Sequence, residues 1–248
     1  MATDARQVNR WASSAARRRF EARFRHPRVV LPVIHAACES QVLANAEIAR
    51  GADADGVFLI NHVGDCDQLL AMYAAARAHH PDWWIGLNCL DLTPLELLAQ
   101  VSEDVDGAWA DNADVDERRG TQPEAEAARR AATDRGWPGL YFGGVAFKYQ
   151  RPVADLERAA RLARDYVDVI TTSGPGTGEA AEPAKIAAIR TGAGDHPLAL
   201  ASGVTPENVD AYLPWVDAYL VATGISRDFE HLDPARTRAL VERVHDRP

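Results

Sequence analysis

Leu-Ala-Ser-Gly-Val at residues 200–204, followed by Thr-Pro-Glu-Asn-Val at 205–209, is the stretch that points most directly to a fold. An apolar strand ends at Ser202-Gly203, and Pro206 suits the first turn of a helix. This junction predicts free backbone amides beside a helix N-terminus, which is a place where phosphate binds. A second junction of this kind, Tyr-Leu-Val-Ala-Thr-Gly, follows at 219–224. Two neighbouring phosphate-binding loops late in a chain are typical of the last two strands of a (β/α)8 barrel.

One strand-and-helix period recurs eight times along the rest of the chain. The strands are near-continuous apolar runs, as in parallel strands that are buried on both faces. Alternating strands and helices with short connections favour right-handed crossovers, and eight such units close a barrel. We therefore predict a single (β/α)8 TIM barrel of class α/β. The predicted strands cover 29–37, 56–61, 83–90, 107–112, 139–147, 167–172, 197–201 and 218–223, and the predicted helices cover 41–50, 68–77, 94–101, 124–134, 153–165, 183–191, 207–213 and 234–244.

Length and composition fit one domain of this kind. The chain has 248 residues, 47% of them hydrophobic, which is enough for a large core. No apolar stretch reaches the roughly 18 residues that a membrane span needs, and the arginine-rich N-terminus lacks the apolar run of a signal peptide. We therefore expect a cytoplasmic protein. Cys38, Cys66 and Cys89 form no Cys-x-x-Cys pair, so we expect three reduced thiols.

The charge is distributed unevenly between the N-terminus and the rest of the chain. The net charge is −9, but residues 1–28 carry eight arginines against Asp4 and Glu21, a local charge of +6. The remaining −15 argues against a nucleic-acid surface. We predict a basic, helical N-terminal extension over 1–28 and a barrel over 29–248. The extension either closes the bottom of the barrel or pairs with its acidic body, with Trp11, Phe20 and Phe24 packing, or it docks on a membrane or another anionic partner.

Polar residues follow the predicted strands at one end. Active sites of (β/α)8 barrels lie at the carboxyl ends of the strands, so we expect these side chains to share a pocket. A polar residue after a strand is often only a helix cap, and Asp65, Asp91 and Thr205 have that alternative. The members, in chain order, are His35, Glu39, Asn61, His62, Asp65, Asn88, Asp91, Asp111, Asn112, Lys148, Ser173, Ser202 and Thr223.

Lys148 is the sharpest single candidate among them. It follows strand five in Ala-Phe-Lys-Tyr-Gln, where partial burial would lower its pKa towards nucleophilic or Schiff-base chemistry. It could also bind phosphate as a cation, or lie on the surface past Tyr149. Lys185, on helix six, is expected to be solvated.

The ends of strands one, three and four offer acid-base groups. Asp111, beside Asn112 and near Asn88, could act as a general base, or hold a ribose hydroxyl pair or Mg²⁺. The alternative is that Asp111 and Asn112 only cap a helix. His35 and His62 could move protons near neutral pH. No His-x-x-x-His or similar spacing predicts a transition-metal site, and no other cofactor is evident.

A third loop, Thr-Thr-Ser-Gly-Pro-Gly-Thr-Gly at 171–178, is rich in glycine and hydroxyl groups. Such a loop lets backbone amides approach an anion closely, although it matches neither a P-loop nor a dinucleotide fingerprint. Its alternative role is that of a flexible lid. The predicted phosphate-binding set is Ser173, Gly176, Thr177, Gly178, Ser202, Gly203, Thr223 and Gly224.

These motifs together resemble the BtpA family of TIM barrels. The resemblance spans roughly 29–244 and is most specific at 202–208, through Ser-Gly-Val-Thr and Asn208. It implies a ribulose-phosphate-binding barrel, and some relatives carry phosphoribosyltransferase labels. The family name comes from a factor associated with photosystem I biogenesis. This chain has Asn-His-Val-Gly-Asp at 61–65 where the family tends to have Glu-Asn-Phe-Gly-Asp, and Gly144 and Tyr149 replace an Asp and a His near Lys148.

The leading hypothesis is an enzyme that acts on a phosphorylated small molecule, either a sugar phosphate or a nucleotide, including phosphoribosyl transfer. Lys148, Asp111, His35, Asn112 and Asn88 would be catalytic, with Glu39, Asn61 and His62 lining the pocket. One alternative is a non-catalytic assembly or regulatory factor for a membrane complex such as photosystem I. Another is a Schiff-base lyase that uses Lys148. The oligomeric state is left open, a homo-oligomer included.

Overall fold

The computed structural model describes residues 14–246, and its centre is a closed barrel of eight parallel strands. The register runs from Val33 opposite Phe58 in the first strand pair to Val30 opposite Tyr219 where the last strand meets the first. The predicted (β/α)8 barrel is confirmed. The strands are β1 (Val29–His35), β2 (Gly56–Ile60), β3 (Trp84–Asn88), β4 (Gly107–Ala110), β5 (Leu140–Gly144), β6 (Val169–Ser173), β7 (Leu198–Ala201) and β8 (Ala218–Val221).

Helices cover the outside of the barrel. Most begin at a side chain that caps the helix or at a proline in the first turn, and Asp65, for example, accepts a hydrogen bond from the N–H of Gln68 at 3.0 Å. The cap interpretation of Asp65 is therefore confirmed. The helices are α1 (Ala15–Glu21), α2 (Glu39–Gly51), α3 (Cys66–His79), α4 (Pro94–Gln100), α5 (Pro123–Asp134), α6 (Leu156–Ala163), α7 (Pro183–Ala193) and α8 (Pro234–His245).

The helix predicted at 207–213 is wrong. The structure has only a single 3₁₀ turn there, Val209–Ala211. Pro214 disfavours helical backbone at the residue before it, so a helix that began at Pro206 would have to end by residue 212. Asn208 holds the segment as a turn instead, since its side chain donates to the carbonyl of Gly203 at 2.8 Å.

Large side chains fill the inside of the barrel. The strands direct alternate residues inwards, and aromatic rings from β2, β3, β4 and β5 meet edge to face, for example Phe58 against Trp84 and Phe142. Phe20 of α1 and the following Phe24 join this cluster, with the Phe24 ring 5.4 Å from that of Trp84. The described part of the N-terminal extension therefore closes the lower end of the barrel; Trp11 lies outside the described residues.

Four aspartates at the lower end repeat one arrangement. Each stands directly before an even-numbered strand and accepts a hydrogen bond from an N–H in the strand before it, at 2.8–2.9 Å. Burying a carboxylate costs free energy unless it is hydrogen-bonded and paired with a cation. The pattern is visible in the sequence as an Asp at the start of each of these strands. The four residues are Asp55, Asp106, Asp168 and Asp217, and their donors are the N–H groups of Val30, Ile85, Tyr141 and Leu198.

Arginines of the N-terminal segment contact two of these aspartates. Arg17 forms a forked pair with Asp217, at 2.9 and 3.0 Å, and Arg19 lies 2.5 Å from Asp168. Within residues 14–28 the basic segment thus pairs with the acidic body of the barrel. Residues 1–13, which carry the rest of that segment, lie outside the described part of the chain.

The cysteine expectation is wrong for two of the three residues. Cys66, at the start of α3, forms a disulfide with Cys89, which directly follows β3, while Cys38 is free and exposed. The carboxyl ends of β2 and β3 are neighbours, so the two cysteines meet although 23 residues separate them in sequence. Among residues 14–246, every helix is too short or too polar to cross a membrane.

Candidate functional site

Lys148 lies in the middle of the upper end of the barrel, where the strands end. Its backbone N–H donates to Ser173 Oγ at 2.8 Å, which fixes the loop after β5 on the end of β6. Its ammonium group donates to Thr177 Oγ1 at 3.1 Å and lies 5.8 and 5.9 Å from the ring centroids of Phe147 and Tyr149. The structure therefore brings Lys148 to the glycine-rich loop after β6, as the sequence predicted.

The loops after β6 and β7 are joined by Ser202. Its hydroxyl accepts a hydrogen bond from the N–H of Gly178 at 3.0 Å and donates to the carbonyl of Gly176 at 3.4 Å. Ser202 and Gly203 both adopt the left-handed backbone conformation, with φ of 66° and 70°. A side chain on Gly203 would overlap the carbonyl of Glu179, so only glycine permits this close approach of the two loops.

The loop after β8 contacts both the loop after β6 and the loop after β7. A Cβ atom on Gly178 would lie 3.4 Å from Thr223 Cγ2, and one on Gly224 would overlap the carbonyl of Val204. Of the predicted phosphate-binding residues, Gly176, Thr177, Gly178, Ser202, Gly203, Thr223 and Gly224 therefore lie on three loops in mutual contact. Ser173 stands apart, because it is buried at the end of β6 and its hydroxyl donates to the carbonyl of Gly174 at 2.8 Å.

The amides after Gly203 are already hydrogen-bonded. The N–H of Thr205 donates to Asn208 Oδ1 at 2.8 Å, and Thr205 Oγ1 accepts from the N–H groups of Glu207 and Asn208. Because the expected helix is absent from this segment, no helix N-terminus adds its dipole here. The N–H groups of Thr205, Glu207 and Asn208 are thus engaged within the turn itself.

His35, the last residue of β1, has one ring nitrogen fixed by the backbone. Its Nδ1–H donates to the carbonyl of Phe229 at 2.8 Å, which leaves Nε2 as an acceptor in the neutral ring. Burial, the neighbouring His62 and the charge of Lys148 lower the pKa of His35 to about 4, against the opposite effect of the Phe229 carbonyl. His35 is therefore neutral at pH 7, a hydrogen-bond acceptor and a weak base.

His62 lies beside His35, with ring centroids 4.6 Å apart in an edge-to-face arrangement. Burial and the charge of Lys148 lower its pKa as well. Phe229 packs against both rings, at 4.2 and 5.3 Å. His35, His62 and Phe229 form one wall of the site. The charge of Lys148 is near enough to lower the pKa of both histidines.

Asp111 forms the opposite wall. Burial raises its pKa, while a hydrogen bond from Asn88 Nδ2 at 3.1 Å and the charge of Lys148 act against that rise. The carbonyl of Asp111 accepts a hydrogen bond from Gln150, which ties the loops after β4 and β5 together. Asn88 and Asp111 are thus together, as predicted.

Four predicted site residues serve elsewhere. Asn61 donates to Asp91 Oδ1 at 2.7 Å and accepts from the N–H of Leu90, so it joins the loops after β2 and β3. Asp91 also accepts from the N–H of Cys66; burial raises its pKa, but these hydrogen bonds outweigh that effect and the pKa is lowered. Asn112 forms a local turn with Asp114 at 2.7 Å, and Glu39 is exposed at the start of α2.

A cleft of about 560 Å³ opens between the loops after β4 and β5. Tyr149 lines this cleft and also lies 3.3 Å from Thr177 Oγ1 through its hydroxyl. Tyr149 is 80% exposed and lies between the cleft and the Lys148 ammonium group. The other polar residues that line the cleft include Asp114, Asp116 and Arg151.

The expectation that Lys185 is solvated is wrong. Its ammonium group donates to the carbonyls of Ala146 and Ser173, at 2.6 Å each, beneath the loops that carry Lys148. Burial lowers its pKa to about 8. Lys148 and Lys185 are the two lysines of the chain, and both serve the ends of β5 and β6. The sequence showed Lys185 on a helix, but not that the helix would point it inwards.

Comparison with known proteins supports the fold. No protein-family model and no curated protein sequence matches the chain. Among solved structures, GGGPS from Thermoplasma volcanium superposes with a TM-score of 0.68 at 13% identity, covering 94% of this chain and 98% of that one. (S)-3-O-geranylgeranylglyceryl phosphate synthase from Thermoplasma acidophilum, in complex with its substrate sn-glycerol-1-phosphate, gives 0.63 at 14%, covering 95% and 100%.

A third similar structure is phosphoribosyl anthranilate isomerase from Thermus thermophilus, with a TM-score of 0.59 at 20% identity, covering 88% of this chain and 98% of that one. At these identities the likeness establishes the barrel architecture.

Proposed function

We propose that this barrel is an enzyme that binds a phosphorylated small molecule at the upper end of strands β5 to β8. One observation carries the proposal: the adjacent residues Thr177 and Gly178 connect Lys148 to the turn at Ser202. Thr177 Oγ1 accepts from Lys148 Nζ at 3.1 Å, and the N–H of Gly178 donates to Ser202 Oγ at 3.0 Å. A phosphate on this turn would meet amides, hydroxyls and an ammonium together.

The names of structurally similar proteins support the same class of ligand. The Thermoplasma acidophilum synthase holds a glycerol phosphate, and the Thermus enzyme is named for a phosphoribosyl compound. Membership of the BtpA family, which the sequence resembles, is also a proposal, and so is the phosphoribosyl transfer that this resemblance implies. Mg²⁺ beside Asp111 remains a proposal too.

The remainder of the ligand would extend from Lys148 between the two walls. His35 presents Nε2 as an acceptor to a ligand hydroxyl, because its Nδ1–H is held by Phe229. Asp111, whose pKa is raised by burial, would accept and return a proton as the general base. Lys148 would stabilise negative charge that develops on the reacting carbon or oxygen between them.

Glu179 places a negative charge next to the proposed anion site. Its Oε1 atom lies 2.5 Å from where a Cβ of Gly176 would stand, so a negative charge already lies beside the phosphate-binding loop. A bound phosphate would be repelled by it. Neutralising Glu179 should therefore strengthen phosphate binding, whereas neutralising Lys148 should weaken it.

The test is a calorimetric titration with a panel of phosphate esters, sugar phosphates and nucleoside monophosphates, each next to its dephosphorylated form. We expect at least one ester to bind and its dephosphorylated form to bind at least about tenfold more weakly, since hydrogen bonds to charged groups contribute about 1.5–3 kcal/mol. Lys148→Met should weaken binding by a similar factor, and Glu179→Gln should tighten it.

Glu103→Gln is the matched control, because Glu103 is exposed at the opposite end of the barrel, between α4 and β4. It should leave the affinity unchanged. Esters that bind no better than their dephosphorylated forms, or an affinity that Lys148→Met does not alter, would contradict the proposal. For an ester that turns over, Lys148→Met should lower the turnover number, and an unchanged turnover number would remove Lys148 from the chemistry.

A further inference from the structure

Three residues that are distant in sequence meet at the lower end of the barrel. His26 follows α1, Asp55 precedes β2 and His245 ends α8. His26 Nδ1 lies 2.7 Å from Asp55 Oδ1, and His245 Nε2 lies 3.0 Å from Asp55 Oδ2. The two imidazole rings are stacked, with centroids 3.7 Å apart. One carboxylate therefore contacts a ring nitrogen of each histidine. One atom from each of the three side chains, two nitrogens and one oxygen, lies within 4.8 Å of the other two.

The other three aspartates of the lower end show what is unusual here. Asp217 pairs with Arg17 and Arg190, Asp168 with Arg19 and Arg129, and Asp106 with Arg77. Each of these carboxylates has a permanent positive charge beside it. Asp55 occupies the same position in the repeated arrangement, and its side chain is only 5% exposed, but its partners are two histidines.

Two stacked imidazoles do not replace an arginine. A neutral imidazole brings no charge, and two imidazolium rings in face-to-face contact would repel each other. The buried carboxylate is therefore left with hydrogen bonds but no fixed counter-charge. A cation bound between the three side chains would provide the charge that arginine provides at the other three positions.

We propose that His26, Asp55 and His245 bind one divalent transition-metal ion, with Zn²⁺ as the best-matched probe. Two imidazole nitrogens and one carboxylate oxygen are a ligand set that such ions favour. With metal–ligand bonds of 2.0–2.2 Å, a tetrahedral site has ligand atoms about 3.3–3.6 Å apart. His26 Nδ1 now lies 2.7 Å from Asp55 Oδ1, so these two atoms would have to separate by about 0.6–0.9 Å to hold an ion between them.

No net proton release is needed for this binding when the rings are neutral. The ion replaces the protons on His26 Nδ1 and His245 Nε2, and each ring takes its proton at the other nitrogen. The second oxygen of Asp55 can keep its hydrogen bond to the N–H of Val30, 2.8 Å from Oδ2. A carboxylate that is held by the backbone in this way is an oriented ligand.

A cleft of about 580 Å³ lies beside these residues, and His26 and His245 help to line it. Asp53, Glu242 and Asp246 also line it and give it a negative charge, with Arg238 as the cation present. Such a surface attracts a cation and leaves room for a water ligand. The ion would connect the segment after α1, the loop before β2 and the end of α8, and so hold both ends of the described chain on the barrel.

The proposal is tested with tag-free, full-length protein that has been treated with a chelator and then dialysed. We expect about one Zn²⁺ per chain by elemental analysis and calorimetry, Co²⁺ absorption bands of a histidine-containing site, and a higher melting temperature with Zn²⁺ than without. Removing one ligand should weaken binding by more than the roughly 10–100-fold that loss of an outer partner costs. The variants are His26→Gln, His245→Gln and His26→Arg.

His26→Arg separates the site from a purely structural hydrogen-bond cluster. It should restore the arginine–aspartate pairing of the other three positions, so it should fold without metal and lose the Zn²⁺-dependent rise in melting temperature. His231→Gln is the matched control, because His231 pairs with a single carboxylate, Asp228, at 2.8 Å. It should bind Zn²⁺ as the wild type does. Absence of Zn²⁺ binding in the wild type, or binding that survives in both glutamine variants, would overturn the proposal.

Discussion

Lys148 Nζ lies 3.1 Å from Thr177 Oγ1, and the next residue, Gly178, donates its N–H to Ser202. Lys148, which follows β5, and Ser202, which follows β7, therefore both contact the short segment 177–178. The relationship has electrostatic consequences on the other side of the pocket, because the charge of Lys148 lowers the pKa of both His35 and His62.

Removing that charge should change the titration of the two histidines. A nearby cation disfavours imidazolium, so Lys148→Met should raise the pKa of His62 and, by a smaller fraction of its total shift, that of His35, where burial dominates. Proton NMR of the histidine ring signals measures both values. His196 is the internal control, since burial and not Lys148 lowers its pKa to about 4. Unchanged values for His35 and His62 would place Lys148 away from them.

Lys185 predicts a pH dependence of stability. Its pKa is about 8 in the folded protein and has an ordinary value of 10.5, so between these values the unfolded chain binds the additional proton. The free energy of unfolding of the wild type should therefore rise from pH 8 to 10.5, relative to a variant without a titrating amine at this position.

Lys185→Arg and Lys185→Met are the variants for this comparison, measured by urea unfolding at several pH values. The arginine keeps a donor for the carbonyls of Ala146 and Ser173 but does not lose its proton in this range. If the free energy of unfolding changes in parallel for the wild type and both variants from pH 8 to 10.5, the pKa of Lys185 is not lowered in the folded protein.

The ion pairs of α1 predict that the basic segment is part of the folded barrel. Arg17→Ala removes a forked pair with the buried Asp217 and should lower the free energy of unfolding by about 1–3 kcal/mol. Arg25→Ala, at an exposed position of the same segment, should change it by less than about 0.5 kcal/mol. Equal effects of the two substitutions in urea unfolding would return the segment to a role in docking.

The disulfide predicts a thiol count. Without reductant, the unfolded chain should react with one equivalent of a thiol reagent, at Cys38, and with three after reduction. Replacing Cys66 and Cys89 by alanine should lower the free energy of unfolding by about 3 kcal/mol, because the bond closes a loop of 23 residues in the unfolded state. Three reactive thiols in the absence of reductant would contradict the pairing.

The fold was predictable from the sequence because apolar strands recur eight times and helices follow all but one of them. The helix predicted at 207–213 is absent because the Asn208 side chain bonds to the carbonyl of Gly203 and fixes a turn, which the apolar spacing of the segment does not reveal. The disulfide could have been found from placement, since Cys66 and Cys89 both follow the carboxyl ends of neighbouring strands. Sequence spacing alone did not suggest it.

The site was predictable in position more than in detail. Strand ends gather at one face whatever their side chains do, so Lys148, His35 and Asp111 could be placed together. The directions of individual side chains depend on local turns: Asn112 bonds to Asp114, Ser173 faces its own backbone, and Lys185 points inwards. The cluster of His26, Asp55 and His245 arises from chain segments far apart in sequence, so no spacing pattern could show it.

The central claim, that the turns after β6, β7 and β8 bind phosphate, is tested most directly by titrating ¹⁵N-labelled protein with inorganic phosphate and following the backbone amides by NMR. The account predicts saturable shifts at Gly178, Gly203 and Gly224, and their loss in Lys148→Met. Shifts confined to other parts of the molecule, or none that saturate, would contradict it.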